Sequence, residues 1–259
     1  MEIYAYFKPP YKQLMSEHVY EALKTFSEKS KFVAYGNSIH PSFHKMLYIS
    51  IIFHDFGKVP LNFSNLTAIN NNQQISFSGH EIISGWFVYE ILVEDSKIAL
   101  DLGISKDEIE AQELSKIITL AVLLHHYPMS FRKRIKHFEK NNKNIKVSFN
   151  EIEAFLSSIR GFVYDFLDFS PKNFMNIISK TAKKEFTKNY ITNKTKEIYD
   201  DLYKKIWLNG SPKYRNLFLI LLQGLVASDY CSAFKRNDRN IFGFSDAIKR
   251  FVELYGGEC

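Results

Sequence analysis

At 259 residues the chain is long enough to bury a large core within one domain. Its 46% hydrophobic and 24% charged residues exclude a disordered or fibrous chain, and only 11 glycines and 7 prolines argue against a loop-rich or all-β design. The formal charge of +6 is local: Phe131 to Lys146 holds Arg132, Lys133, Arg134, Lys136, Lys140, Lys143 and Lys146 against Glu139 alone. Such a strip favours a polyanion such as nucleic acid, the alternative being a solvated lysine-rich loop.

The first ten residues lack a basic segment followed by an apolar one, so no secretory signal is expected. Ile3 to Phe7 reads as a short strand. From there the periodicity is helical almost throughout. Between Leu14 and Phe26, Val19, Ala22, Leu23 and Phe26 form an apolar face, with His18 one turn before Ala22. Between Ser42 and Asp55, Leu47, Ile51, His54 and Asp55 share a side. Asn62 to Ser78 is polar and Asn-rich and reads as a loop, after which His80 opens a helix through Ile83, Phe87 and Ile91.

Asp107 to His126 is a long amphipathic helix that Pro128 stops. Ser148-Phe149-Asn150-Glu151 is a capping box, and Ser170-Pro171 and Ser211-Pro212 are cap-plus-first-residue helix starts. The helix after Pro212 is apolar nearly all round, which predicts a central, buried position, with Asp229 near its end. Its apolar run, Leu217 to Ala227, is shorter than the ~20 residues that span a bilayer, so no membrane partner is expected. Ser245 to Tyr255 is a last short helix ending at Gly256-Gly257. No linker or repeat divides the chain, and the prediction is one all-α domain over 1–259. Cys231 and Cys259 do not look like a disulfide framework, which favours a reducing, cytoplasmic location.

The chemistry begins with His54-Asp55, at the end of the apolar run Ile51-Ile52-Phe53. Burying an imidazole and a carboxylate there costs several kcal/mol unless something pairs them, and a divalent ion is an economical partner. His18, His80, the pair His125-His126 and Asp229 are further ligands of the same kind. A lone histidine is more often a satisfied core residue, and His40, His44 and His137 are read that way. Adjacent residues on a helix point about 100° apart, so His125 and His126 reach one site only near a helix end or across a cleft, and the pair sits at a helix end. Five imidazoles and two carboxylates are too many for one tetrahedral ion and suit two metals sharing a ligand. Asp55, whose two oxygens can bridge, is the natural shared ligand.

His54-Asp55 followed by Gly57-Lys58, with a preceding histidine and a late aspartate, resembles the HD metal-dependent phosphohydrolases. His18, Gly79-His80-Glu81-Ile82-Ile83-Ser84, His125-His126 and Ala227-Ser228-Asp229-Tyr230-Cys231-Ser232 narrow the likeness. The set is similar to the HD nuclease of CRISPR type I interference, which occurs fused to a helicase or as a separate chain. The resemblance covers residues 10 to 235, with the ligand motifs carrying nearly all of it.

The resemblance implies an HD-domain helical bundle. It implies one metal held by His18, His54, Asp55 and Asp229, and another held by Asp55, His80, His125 and His126. Lys58 matches the family's lysine beside the metals and would neutralise a phosphate oxygen; the alternative is a lysine at a helix C-terminus facing the dipole. Ser84 and Ser232 match family serines that would orient ligands. Gly57-Lys58 is not a nucleotide-binding P-loop, because the position five residues earlier is Ile52. Strand unwinding would therefore come from a separate helicase chain, working with a guide-RNA surveillance complex.

Mixed imidazole and carboxylate ligation favours Mn²⁺, Ni²⁺, Co²⁺ or Fe²⁺, with Mg²⁺ also admissible. A single-stranded substrate is expected, its backbone tracked by Arg132, Lys133, Arg134 and Lys136, and the resemblance implies single-stranded DNA first, with RNA also admissible. Two other readings compete. A phosphohydrolase of nucleotides or cyclic dinucleotides would need an enclosed, base-specific pocket. A degraded HD domain acting as a binding module would be expected to have lost a ligand, and all seven are present.

Overall fold

In a computed structural model that describes residues 2–94, 96–126, 130–141, 145–167, 185–235 and 244–259, the chain opens with a hairpin. Strand β1 (Tyr4–Lys8) pairs antiparallel with β2 (Tyr11–Leu14), which places the expected N-terminal strand in a two-stranded sheet. Helices α1 (Met15–Lys24), α2 (Lys31–Ile39) and α3 (Phe43–Phe53) follow. Part of the segment read as an Asn-rich loop is helical: α4 (Lys58–Ser64) runs into it, and α5 (Leu66–Asn70) adds a short turn of helix. Asn62 is spent on that structure. Its amide donates to Lys58 O and Tyr4 O, and its Oδ1 accepts from Tyr4 N, so a polar residue buried at 0% exposure fastens the hairpin to α4.

Next come α6 (His80–Leu92), α7 (Ser96–Asp101), α8 (Glu108–Leu124) and α9 (Phe131–Asn141). Asp107 caps α8 by accepting from Glu110 N. From Phe131 to Asn141 the basic strip is helix, not loop, because Phe131, Ile135 and Phe138 recur at helical spacing and are buried along one side of α9. A second small pairing, β3 (Lys146–Val147) with β4 (Phe186–Thr187), brackets α10 (Phe149–Leu167). Glu151 closes back onto Ser148 N at 2.8 Å, as the capping box predicts. The expected helix start at Ser170-Pro171 lies outside the described residues.

Helix α11 (Lys188–Leu202) runs into a π-helical turn at Tyr203–Leu208, and α12 (Pro212–Phe234) and α13 (Phe244–Leu254) complete the fold. Ser211 Oγ accepts from Tyr214 N, with Pro212 opening α12 as predicted. Helix α12 is the central element, packed against α1, α2, α3, α8 and α13. Taken whole, α12 is long and apolar enough to cross a membrane by length and composition, but here Leu217, Phe218, Leu221, Leu225 and Ala227 are buried within the protein, while Leu219 is exposed. The all-α architecture holds, with strands confined to the two short pairings among the described residues.

The cysteine expectation is corrected. Cys231 Sγ and Cys259 Sγ are bonded across a Cα–Cα distance of 4.8 Å. The tail after α13 turns back over the end of α1, with Glu258 N donating to Thr25 O, and so brings Cys259 to α12. The cysteines therefore no longer argue for a reducing compartment.

Candidate metal centre

His54 and Asp55 follow the last turn of α3, where the chain bends through 54–57 into α4. Phe53 and Phe56 flank the pair and pack into the core, Phe56 stacking on Phe87 of α6 at 3.7 Å between ring centroids. The bend fits against α6 because residue 57 is glycine; a Cβ there would meet His80 O at 2.0 Å. Gly57 N also donates to Ser84 Oγ at 2.8 Å. Ser84 thus holds the bend that carries Asp55, rather than any ligand directly.

All seven predicted ligands converge. His18 comes from the middle of α1, His54 and Asp55 from the bend, His80 from the first residue of α6, His125 and His126 from the end of α8, and Asp229 from α12. They form two sets, His18, His54, Asp55 and Asp229 in one and His80, His125 and His126 in the other. In the first set His18 Nε2 lies 3.1 Å from Asp55 Oδ2, 3.2 Å from Asp229 Oδ1 and 3.4 Å from His54 Nε2. In the second, His80 Nε2 lies 3.3 Å from His125 Nε2 and 3.1 Å from His126 Nε2. Asp55 Oδ1 joins the two, 3.1 Å from His80 Nε2 and 3.5 Å from His54 Nε2, and it accepts no hydrogen bond.

These spacings suit metal ligands. Atoms held about 2.0–2.2 Å from one ion lie roughly 3.0–3.6 Å from each other. The imidazoles are also turned so that their Nε2 atoms face inward. His54, His80 and His125 each place Nδ1 on the carbonyl three residues earlier: Ile51 O at 2.7 Å, Phe77 O at 2.8 Å and Val122 O at 2.6 Å. His18 Nδ1 lies 2.8 Å from Ser232 Oγ, which donates in turn to His18 O and accepts from Gln13. With Nδ1–H donating outward, each ring presents an Nε2 lone pair to the centre, the arrangement that metal-binding histidines use.

The electrostatics match. Burial alone would raise the Asp55 pKa, but His54, Lys58 and His18 hold it well below the carboxylate range. Burial opposes ionisation of Asp229 too, and hydrogen bonds from His18 and His54 overcome it. Burial would lower the His54 pKa, and the Asp55 and Asp229 charges raise it instead. His125 is pushed well below its ordinary value by burial and by neighbouring histidines, and His126 is pushed to about 3 by burial first and His80 second. Both rings are neutral and available as ligands at neutral pH.

Lys58 Nζ is 2.6 Å from Asp55 Oδ2, and the lysine opens α4 instead of closing a helix, which removes the dipole alternative. His40, His44 and His137 lie apart from the centre, beside Glu110, Glu28 and Ser78.

The basic residues do not act as one strip. Lys133 and Arg134 line a cleft of about 620 Å³ that opens onto His80, His125 and His126, whereas Arg132 and Lys136 line a separate groove against α11. Arg134 Nη2 pairs with the buried Glu81 carboxylate, so this predicted phosphate contact is corrected to an internal one. Lys143 lies outside the described residues. Sequence reasoning missed Glu81, Phe77 and Gln13. Only Glu81 carried a signal, as an acid inside an apolar helix. Comparison with protein-family models, with curated proteins and with solved structures yields no match.

Proposed function

We propose that this chain is a metal-dependent nuclease that hydrolyses phosphodiester bonds of single-stranded DNA or RNA at a two-metal centre. The observation that supports it best is the pair of abutting ligand sets joined by Asp55 Oδ1, an acceptor buried with no hydrogen bond of its own. A buried carboxylate oxygen facing imidazole nitrogens from both sets is costly in an empty site and natural beside cations.

His18, His54, Asp55 and Asp229 would hold one divalent ion, and Asp55, His80, His125 and His126 the other. Bound there, the ions would supply Lewis acidity to the scissile phosphate and to the attacking water. The residues of the chain do the rest. Carbonyls of Ile51, Phe77 and Val122 fix the imidazole tautomers, and Ser232 fixes that of His18. Lys58 places a cation beside Asp55, at the edge of the cleft, where negative charge accumulates on the phosphate. Lys133 extends that positive field outward.

The likeness of the ligand motifs to the stand-alone HD nucleases supports a place in CRISPR interference, beside a separate helicase chain and a guide-RNA surveillance complex. The test is incubation with circular single-stranded DNA, single-stranded RNA, duplex DNA and nucleotides across Mn²⁺, Mg²⁺, Ni²⁺, Co²⁺ and EDTA. Cleavage of the circle with a transition metal, abolished by EDTA, is expected. Hydrolysis of nucleotides alone would overturn the nuclease reading in favour of a nucleotide phosphohydrolase.

A further inference from the structure

The cleft beside the second ligand set has more structure than phosphate binding requires. Lys58, Lys133 and His137 line it, together with aromatic residues from three distant segments: Tyr6 from the hairpin, Phe77 before α6, and Tyr230 from α12. Its volume of about 620 Å³ falls in the range of pockets that take small organic groups, roughly 300–1,000 Å³.

Phe77 is tied to the centre twice. Its carbonyl takes His80 Nδ1 at 2.8 Å, and its ring lies 5.9 Å from Lys58 Nζ. Phe77 is half-buried, packed against the core and also among the residues that line the cleft. The opposite wall is held just as firmly. On α9, Arg134, His137 and Phe138 occupy one face and meet Glu81, Ser78 and Gly79 in turn. That docking leaves Lys133 beside the opening.

We propose that this cleft is a subsite for one unstacked nucleotide adjoining the scissile phosphate, with the Phe77 ring as the stacking surface for its base and Lys133 contacting its outer phosphate. The subsite rests on the nuclease reading for its place in catalysis, but base stacking is measurable without cleavage. An aromatic face accepts any base, so the subsite selects unpaired strands without selecting sequence. A base still paired and stacked in a duplex has no free face to offer the Phe77 ring. Arg134 acts through Glu81 as a positioning residue that holds α9 against the ligand-bearing end of α6.

The experiment compares binding of a fluorescent oligo(dT) with that of a fully abasic strand of equal length, in EDTA so that nothing is cut. The two probes carry the same phosphates, so the ratio of their Kd values isolates the base contribution. Wild-type protein is expected to favour oligo(dT) by about tenfold. Phe77→Ala should bring the ratio close to one, and Phe77→Tyr, which keeps the stacking face, should restore it. Co²⁺ binding by each variant checks that His80 is still in place.

No preference in the wild type, or a preference that survives Phe77→Ala, overturns the subsite. Base preference with no cleavage under any metal sinks the nuclease reading alone, whereas metal-dependent cleavage without base preference sinks the subsite alone.

Discussion

Lys58 Nζ sits 2.6 Å from Asp55 Oδ2 across a single turn of chain, both side chains buried, while Asp55 Oδ1 faces His80 on the other side. The lysine and the centre compete for one carboxylate. Lys58→Ala would free Oδ2 and remove a cation from the phosphate's path. Divalent metal should bind at least as tightly in that variant, while kcat falls by about 10²-fold. Calorimetric Mn²⁺ titration beside cleavage rates separates the two, and a parallel loss of metal affinity would make Lys58 structural. Asp55→Asn keeps the shape and removes the charge, and it should lower cleavage to background.

Among the described residues Ser232 anchors His18 through Nδ1 by a side chain, whereas carbonyls anchor His54, His80 and His125. Ser232→Ala should therefore weaken one metal and spare the other. Loss of an outer partner of a ligating histidine typically costs 10–100-fold in affinity. A Co²⁺ titration should change from two tight steps to one tight and one weak. Two unchanged steps would show that His18 is held without the serine.

At the bend that carries Asp55, two substitutions differ sharply in expected cost. Ser84→Ala removes the acceptor of Gly57 N, a loss of about 1–3 kcal/mol for a buried donor. Gly57→Ala drives a Cβ onto a backbone oxygen, His80 O, that no rotamer change can move. Gly57→Ala should lower the melting temperature more than Ser84→Ala and lose metal binding as well. The reverse order would mean that the bend is not pressed against α6.

The ligand set was legible in the sequence because desolvation makes it so. Imidazoles and carboxylates at the ends of apolar helices, His54-Asp55 after Ile51-Ile52-Phe53 and Asp229 in α12, are residues that burial penalises without a partner. The helices were legible from periodicity and caps, as at Asp107 and Ser211. What stayed hidden either carries no residue-type signature or depends on contacts far apart in the chain. The carbonyls that orient His54, His80 and His125 belong to residues of ordinary apolar type, which carry no signature. The partner of Arg134 is Glu81, 53 positions earlier, and the Cys231–Cys259 bond depends on how the tail returns across α1. The helices within 58–70 were hidden by asparagine, whose low propensity is overridden when Asn62 clamps the hairpin.

Stability against pH follows from the two neutral histidines. His125 and His126 stay unprotonated in the fold, whereas in the unfolded chain each binds a proton below about pH 6.5. Below that value the unfolded state holds more protons, so their contribution is present above it and is lost as pH falls. His54, with a raised pKa, works the other way: its contribution is present below about pH 6.5 and is lost as pH rises. Two groups outweigh one, and Asp55 and Asp229 add a further loss below the ordinary carboxylate range. The EDTA-treated chain should melt ~3 °C or more lower at about pH 5 than at about pH 7.5. Adding Mn²⁺ at the higher pH should raise the melting temperature by mass action. Equal or higher stability of the metal-free chain in acid would contradict the buried neutral rings.

The basic residues separate into one that holds the fold and three that are exposed. Glu81 is buried and Arg134 largely so, and removing one leaves the other's charge without a partner. Arg134→Gln should cost about 3–5 kcal/mol, and Glu81→Gln in the same chain should recover part of it, because no unpaired charge then remains. Lys133, Arg132 and Lys136 are exposed and can be neutralised with little effect on melting. For a single strand the logarithm of the binding constant falls with the logarithm of salt at about 0.7 per phosphate neutralised. Lys133→Gln, beside the cleft, should flatten that slope by roughly one contact, and Arg132→Gln with Lys136→Gln by less, because their groove faces α11. Measuring strand affinity from low to moderate salt decides it: equal slopes in all variants would return the strip to a solvated helix face with no role in binding.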